Sequence, residues 1–298
     1  HGPQESNADI ARGLGFHRCE SMDKLEDVLK TLLPGPLHSI AIASHSVNQW
    51  LTNTLHTPFV FGKQNGSTKL IEQIVKMRRI MDEWEMDQFR WTSKITKRAH
   101  EFTIRFSNIS SSEHNVRSRF VSYLHKYGTE EAYNTICTTK GEVLHNHHYN
   151  NHLDAGKLLL LDGGAESPYG YATDVTRTWP TSVHFTTRQR AAYNAVLQAQ
   201  QVAIDMVRPT VRTKDIHVAA SLELAKFLVD ENLLTCNAED AVESGVHALF
   251  FPHGIGHLLG LDVHDMENFG DVAAYSEGRT RSEQFGLSYL RDQPDTSS

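Results

Sequence analysis

Leu158-Leu-Leu-Leu-Asp162-Gly-Gly-Ala-Glu-Ser-Pro-Tyr-Gly-Tyr-Ala-Thr-Asp174-Val-Thr-Arg-Thr-Trp-Pro180 is the stretch on which the fold turns. Four leucines stop abruptly at Asp-Gly-Gly, the pattern of a buried strand whose last side chain is a carboxylate. Gly163, Gly164, Pro168 and Gly170 fit a turn, and Tyr171 to Trp179 resumes strand-forming residues up to Pro180. A hairpin of this kind sets two antiparallel strands side by side and points Asp162 and Asp174 toward one pocket. A carboxylate at the end of an apolar run is costly to bury without a cation or donors. A hard metal ion is one natural partner. The plainer alternative has Asp162 capping a turn and Asp174 pairing with Arg177, and the hairpin alone does not choose between the two.

A second run, Phe250-Phe-Pro-His253-Gly-Ile-Gly-His257-Leu-Leu-Gly-Leu-Asp-Val-His264-Asp265, favours the metal. A lone histidine in an apolar segment is usually a satisfied core residue, but here His253, His257 and His264 are interleaved with Gly254, Gly256 and Gly260. Pro252 and the glycines argue against a helix, so the His-x-x-x-His spacing is not that of a helical zinc motif. The run reads instead as a strand whose glycines let backbone or ligand approach closely.

These two runs, with Val143-Leu-His145 upstream, resemble the aminopeptidase P (Xaa-Pro aminopeptidase) and prolidase family. The resemblance extends from residue 67 onward and, more loosely, over the part before it. It implies an α+β chain with the pita-bread catalytic fold over 67–298, preceded by part of a small α/β N-terminal domain over 1–66. It also implies a dinuclear metal site in which Asp174 bridges two ions, Asp162 binds the second and His257 the first. Oxygen-rich ligation with one imidazole suits Mn²⁺, with Co²⁺ or Zn²⁺ as alternatives. His145, His253 and His264 match histidines that surround the substrate, and His264 is the one expected to donate to its carbonyl or shuttle a proton. The implied reaction is hydrolysis, by a metal-activated water, of the bond between a first residue and a following proline. The implied partners are such a peptide and further copies of the chain, as a dimer or tetramer.

Two other readings stand beside this one: a non-catalytic pita-bread binding or scaffold protein, and another pita-bread hydrolase such as prolidase, creatinase or methionine aminopeptidase. The presence of Asp162, Asp174 and His257 favours an enzyme, and the Thr-Arg-Thr-Trp-Pro run favours aminopeptidase P. The family also has two glutamate ligands, in a Glu-Pro-Gly run and an Arg-Ile-Glu-Asp-like run, and neither run occurs here. Glu267 and Glu283 stand in unrelated contexts. The chain is therefore expected to be truncated at its C-terminus, to bind metal poorly and to turn over slowly.

Composition narrows the function classes. A hydrophobic share of 39% and a charged share of 22% describe an ordinary globular protein. The net charge of −7 argues against nucleic acid as a partner. No apolar run approaches bilayer length, so no membrane partner is expected. Cys19, Cys137 and Cys236 are far apart and odd in number, which suggests a reducing compartment and no disulfide framework. No secretory signal is visible, and the expected location is the cytoplasm, although the start at His1 resembles an internal point of a longer chain.

The remaining elements follow from periodicity. Helices are predicted over 8–14 and 22–33 with Ser21 as N-cap, a short strand at Ile40, and a linker near 63–68. A helix through Leu70, Ile74, Met77 and Met81 gives way at the capping box Asp82–Glu85 to another, with Trp84, Trp91, Ile95, Ala99 and Phe102 on its inner face. A helix from Ser110 carries Val116, Phe120 and Leu124, and strands over 132–143 lead to His145. The neighbouring His147, His148 and His152 are read as surface residues. Thr186 and Gln189 form a capping box for a helix burying Ala192, Val196, Ala199, Ala203 and Met206, followed by helices over 214–234 and 238–243.

Overall fold

The computed structural model describes residues 6–17, 19–32, 35, 37–63 and 65–269; Glu283 and the rest of the segment from 270 lie outside the described residues. Two compact units divide after Gln73. The first holds α1 (Asn7–Gly13), α2 (Leu25–Leu32), α3 (His45–Leu55) and the start of α4 (Thr68–Arg78). Ser6 and Ser44 cap α1 and α3 through their hydroxyls. Ser21 makes no such bond, because Met22–Lys24 forms a tight 3₁₀ turn ahead of α2. The strand expected at Ile40 is a single bridge to Gly66. The stretch read as a linker is held by the same pairing, with Ala41 N donating to Asn65 O and Ser67 N to Ser39 O at 3.0 Å each.

The second unit contains α5 (Glu83–Phe106), α6 (Glu113–Lys126), β1 (Glu130–Glu131), β2 (Ile136–Thr138), β3 (Leu158–Asp162), β4 (Ala165–Glu166), β5 (Thr176–Pro180), α7 (Thr187–Met206), α8 (Thr213–Asp230) and α9 (Ala238–Glu243). Capping boxes at Asp82 and Thr186 start α5 and α7 as the sequence predicts, and α6, expected from Ser110, is capped two residues later by Ser112. The antiparallel sheet has order β2-β3-β5 and places Asp162 opposite Ile136 on one side and Thr176 on the other. Leu159 and Leu161 are fully buried against Ile95, Ala99, Val116, Phe120 and Leu124 of α5 and α6. Each such side chain contributes roughly 1.5–3 kcal/mol of burial. Alternation along the strand leaves Leu158, Leu160 and Asp162 on the other, half-buried face.

Three sequence expectations change. Trp84 and Trp91 are 51% and 40% exposed, and the inner face of α5 is Thr92, Ile95, Thr96, Ala99, His100 and Thr103 instead. Of the expected inner face of α7 only Ala199 is buried, and among the described residues Val196 stays open at 59% exposure. The run from His253 to Asp265 is not a strand but a chain of bends and turns. Pro252 supplies no amide hydrogen there, and Gly260 N and Asp265 N bond locally to Asp262 O and Leu258 O at 3.1 and 3.0 Å.

Behind this loop, α8 buries His217, whose ring stacks on Phe251 at 5.6 Å and lies 3.4 Å from the Ser221 hydroxyl. Burial, and then the neighbouring His247, push its pKa from 6.5 down to about 4. The unfolded chain therefore takes up this proton first as the pH falls. The contribution is complete above pH 6.5 and is lost as the pH drops toward 4. Thermal melting across that window should show a steeper loss of Tm for the parent than for His217→Phe, and equal slopes would refute the assignment.

Candidate functional site

The hairpin brings the two predicted aspartates together through a residue that the sequence reading did not single out. Tyr133 Oη lies 2.6 Å from Asp162 Oδ1 and 2.6 Å from Asp174 Oδ1. Asp162 ends β3, and Asp174 lies two residues ahead of β5 on the returning chain. Glycine is hardest to replace at position 164 of the turn between them, where a Cβ would run into the Thr173 carbonyl. Arg177 does not take Asp174, donating instead to the Thr176 carbonyl at 2.8 Å.

His257 Nε2 meets the outer oxygen of Asp174, Oδ2, at 3.1 Å, and its Nδ1 faces Leu258 O at 2.9 Å. Both ring nitrogens thus face acceptors, an arrangement suited to imidazolium. The hydrogen bond to Asp174 raises the pKa of His257 against the opposing effect of burial. Asp174 is pulled upward by burial, yet the bonds from His257 and Tyr133 hold it below the carboxylate norm. Asp162 has no such cation, so burial, reinforced by the charge of Asp174, lifts it despite the bond from Tyr133. The phenol itself is pushed up by burial and then by Asp162, and stays protonated.

His264 stacks on His257 with ring centroids 3.9 Å apart at 15°, and its Nδ1 lies 3.0 Å from Glu267 Oε2. Glu267, read as unrelated to the site, thus stands beside it. His145 and His253 meet edge to face at 6.4 Å, both exposed, and burial followed by the charge of His145 lowers the pKa of His253. Gly254 and Gly256, expected to allow close approach, have no described atom within 4 Å of where a Cβ would stand. Gly260 does meet that expectation, since a side chain there would collide with the Asp265 carboxylate. Arg78 holds Asp265 from the start of the second unit, and Gly260 O accepts from Ala172 N at 3.0 Å, which ties the histidine loop to the hairpin.

The donor chemistry, two carboxylates and one imidazole, is of the kind that takes a hard or borderline divalent ion. The Tyr133 phenol is neutral and His257 faces Asp174 alone, so Asp162 is the carboxylate left without a cation. Among the described residues, however, no three His, Cys, Asp or Glu side chains converge on a single point. Asp162, Tyr133, Asp174 and His257 form a row of hydrogen bonds instead.

Residues 87–284 match the family described as metallopeptidase family M24. The chain belongs to that family. It is 31% identical over 233 residues to human Xaa-Pro dipeptidase, an alignment covering 76% of this chain and 46% of the relative. Identity to Xaa-Pro aminopeptidase 2 of Streptomyces coelicolor is 36% over 202 residues, covering 66% and 43%. The M24 chain thus spans about half the length of the curated relatives it matches. Its fold matches that of aminopeptidase P from E. coli with the inhibitor Pro-Leu at a TM-score of 0.76 and 26% identity, over 90% of this chain and 63% of that one. A proline aminopeptidase P II from Yersinia pestis gives a TM-score of 0.76 at 24% identity, over 93% and 66%. The pita-bread fold expected from the sequence is the fold of this M24 chain.

The M24 hairpin is anchored from below by a buried polar stripe on α5. Thr96 Oγ1 lies 2.6 Å from Thr173 Oγ1, and both accept from Ala165 N, at 3.1 and 3.0 Å. His100 Nε2 lies 3.0 Å from Gly163 O. The partners Gly163 and Thr173 are the immediate neighbours of Asp162 and Asp174. Polar residues at 92, 96, 100 and 103, one helical turn apart on an inner face, are the signal that the sequence reading passed over. Thr96→Val keeps the shape but removes one partner from a buried network, which costs about 1–3 kcal/mol. Urea unfolding should show that loss, with Thr96→Ser restoring most of it; no change would mean that the stripe does not hold the hairpin.

Proposed function

We propose that the chain is a metal-dependent exopeptidase that releases the first residue of peptides whose second residue is proline. The observation that carries this reading is the row Asp162–Tyr133–Asp174–His257, found in a member of a metallopeptidase family whose relatives include Xaa-Pro dipeptidase and Xaa-Pro aminopeptidase. Asp162 and Asp174 would hold the metal through oxygen and His257 through Nε2, with Mn²⁺ the preferred ion and Co²⁺ or Zn²⁺ acceptable. When bound, the metal supplies Lewis-acid polarisation of the scissile carbonyl and a more acidic attacking water.

The chain's own residues do the rest. Tyr133 keeps two like-charged carboxylates side by side. His257 must release the proton it shares with Asp174 before it can ligate, so metal affinity should rise with pH through its raised pKa. His264, held by Glu267, keeps its other ring nitrogen for the substrate carbonyl. His145 and His253 form the rim against which a proline ring, which has no amide hydrogen, can be selected. Asp162, Asp174 and His257 are the ligands this stretch of sequence offers to such a site. A cytoplasmic homo-oligomer completes it; the cysteines are free, and no helix among the described residues is long and apolar enough to cross a membrane.

The test compares X-Pro with X-Ala peptides in Mn²⁺. A preference for X-Pro of about tenfold or more in kcat/KM is expected. Loss of a ligand should exceed the roughly 10–100-fold cost of disturbing outer residues, so Asp174→Asn should remove what activity there is. Equal rates on the two peptides would indicate a general aminopeptidase, and an undiminished Asp174→Asn would place the chemistry elsewhere.

A further inference from the structure

The loop that carries His145 is closed at its base by a buried carboxylate that has no part in the chemistry above. Glu113, at the first turn of α6, is fully buried. Its Oε1 accepts from Thr139 N at 2.6 Å, Thr139 Oγ1 at 3.0 Å and Asn151 Nδ2 at 3.0 Å. Its Oε2 accepts from Asn151 N at 3.2 Å and Asn151 Nδ2 at 3.0 Å. One carboxylate therefore grips both feet of the segment from Thr139 to Asn151. The backbone seals the second foot, with Glu113 N donating to Asn151 O and His114 N to Tyr149 O at 3.1 Å each.

A buried charge is expensive unless its lone pairs are engaged. On the same face of α6, one, two and three turns further on, Val116, Phe120 and Leu124 are apolar and fully buried. A helix serving only the core would continue that pattern back to 113. Instead, the hydrogen bonds of Glu113 go to the ends of one loop. Between those ends Val143, Leu144 and His145 are exposed, and His145 takes a left-handed backbone (φ +53°) that a tethered loop can impose. Its ring meets His253, which arrives from the other motif.

We propose that Glu113 is a positioning residue, fixing the 139–151 loop so that His145 faces His253 across the mouth of the site. This rests on the reading of these two histidines as substrate-facing groups. Glu113→Ala frees the Thr139 foot and leaves the Asn151 foot on its backbone bonds alone. Glu113→Gln should keep the Thr139 foot and weaken the Asn151 foot, because its amide would face the donors that now meet Oε2. Thr139→Val/Asn151→Ala removes the side-chain donors and leaves the two backbone amides on the Glu113 carboxylate.

The test is NMR on the whole chain with isotopically labelled histidine, reading the cross-peak between the His145 and His253 rings, with circular dichroism as the check of folding. Loss of the cross-peak is expected in Glu113→Ala, and partial loss in Thr139→Val/Asn151→Ala and in Glu113→Gln. It should persist in Leu124→Ala, a core variant that touches none of the bonds to Glu113. A cross-peak that survives undiminished in folded Glu113→Ala, or in the double variant where Glu113→Ala does not fold, would overturn the inference whatever the peptide assay shows. Equal loss in Leu124→Ala would overturn it as well, reducing Glu113 to a general support. Turnover of X-Pro peptides separates the two levels: loss of the cross-peak with undiminished turnover in His145→Gln would defeat the reading of His145, while the clamp would stand as a structural feature only.

Discussion

A single phenolic proton lies between two half-buried carboxylates of like charge, and the rest of the site is arranged around that imbalance. The Tyr133 hydroxyl can satisfy one of the two oxygens that face it at 2.6 Å, not both. The surplus is divided unequally. Asp174, backed by His257, is held low, and Asp162, without a cation, is lifted. Glu267 plays a parallel part for His264, which stacks closely enough on His257 that two uncompensated imidazolium charges would repel.

The geometry survives because the backbone around the charges is over-determined. Asp162 ends β3, whose inner leucines are locked into the α5–α6 core, and Asp174 lies two residues ahead of β5, which pairs with β3 along its length. The residues next to each aspartate are pinned to Thr96 and His100. The histidine loop has little secondary structure of its own, but Gly260 packs against Asp265 and bonds to Ala172, so the loop is fastened to the hairpin and to Arg78. Rigid strands position the carboxylates, and tethered loops position the imidazoles.

Much of this was legible in the sequence. The leucine run ending in Asp-Gly-Gly marks the hairpin because an abrupt change from apolar to turn-forming residues has few other meanings. The capping boxes at Asp82 and Thr186 mark helix starts for equally local reasons. What escaped was set by tertiary partners. Tyr133 looks like any aromatic before a strand until the hairpin folds over it. Thr96, His100 and Glu113 are polar residues on inner helix faces, and a hydrophobic count discards them. The strand expected from His253 fails because glycine-rich runs permit strands without enforcing them, and Trp84 stays exposed with its ring set between the exposed Tyr169 and the buried Tyr171.

The most direct measurement is an anomalous difference map from crystals of the chain soaked in saturating Mn²⁺. A peak within about 2.0–2.3 Å of carboxylate oxygens from both Asp162 and Asp174, with His257 Nε2 turned toward it, is the expected result. A map with no peak at this pair, or with its only peak among His145, His147, His148 and His152, would contradict the assignment of the hairpin as the metal centre.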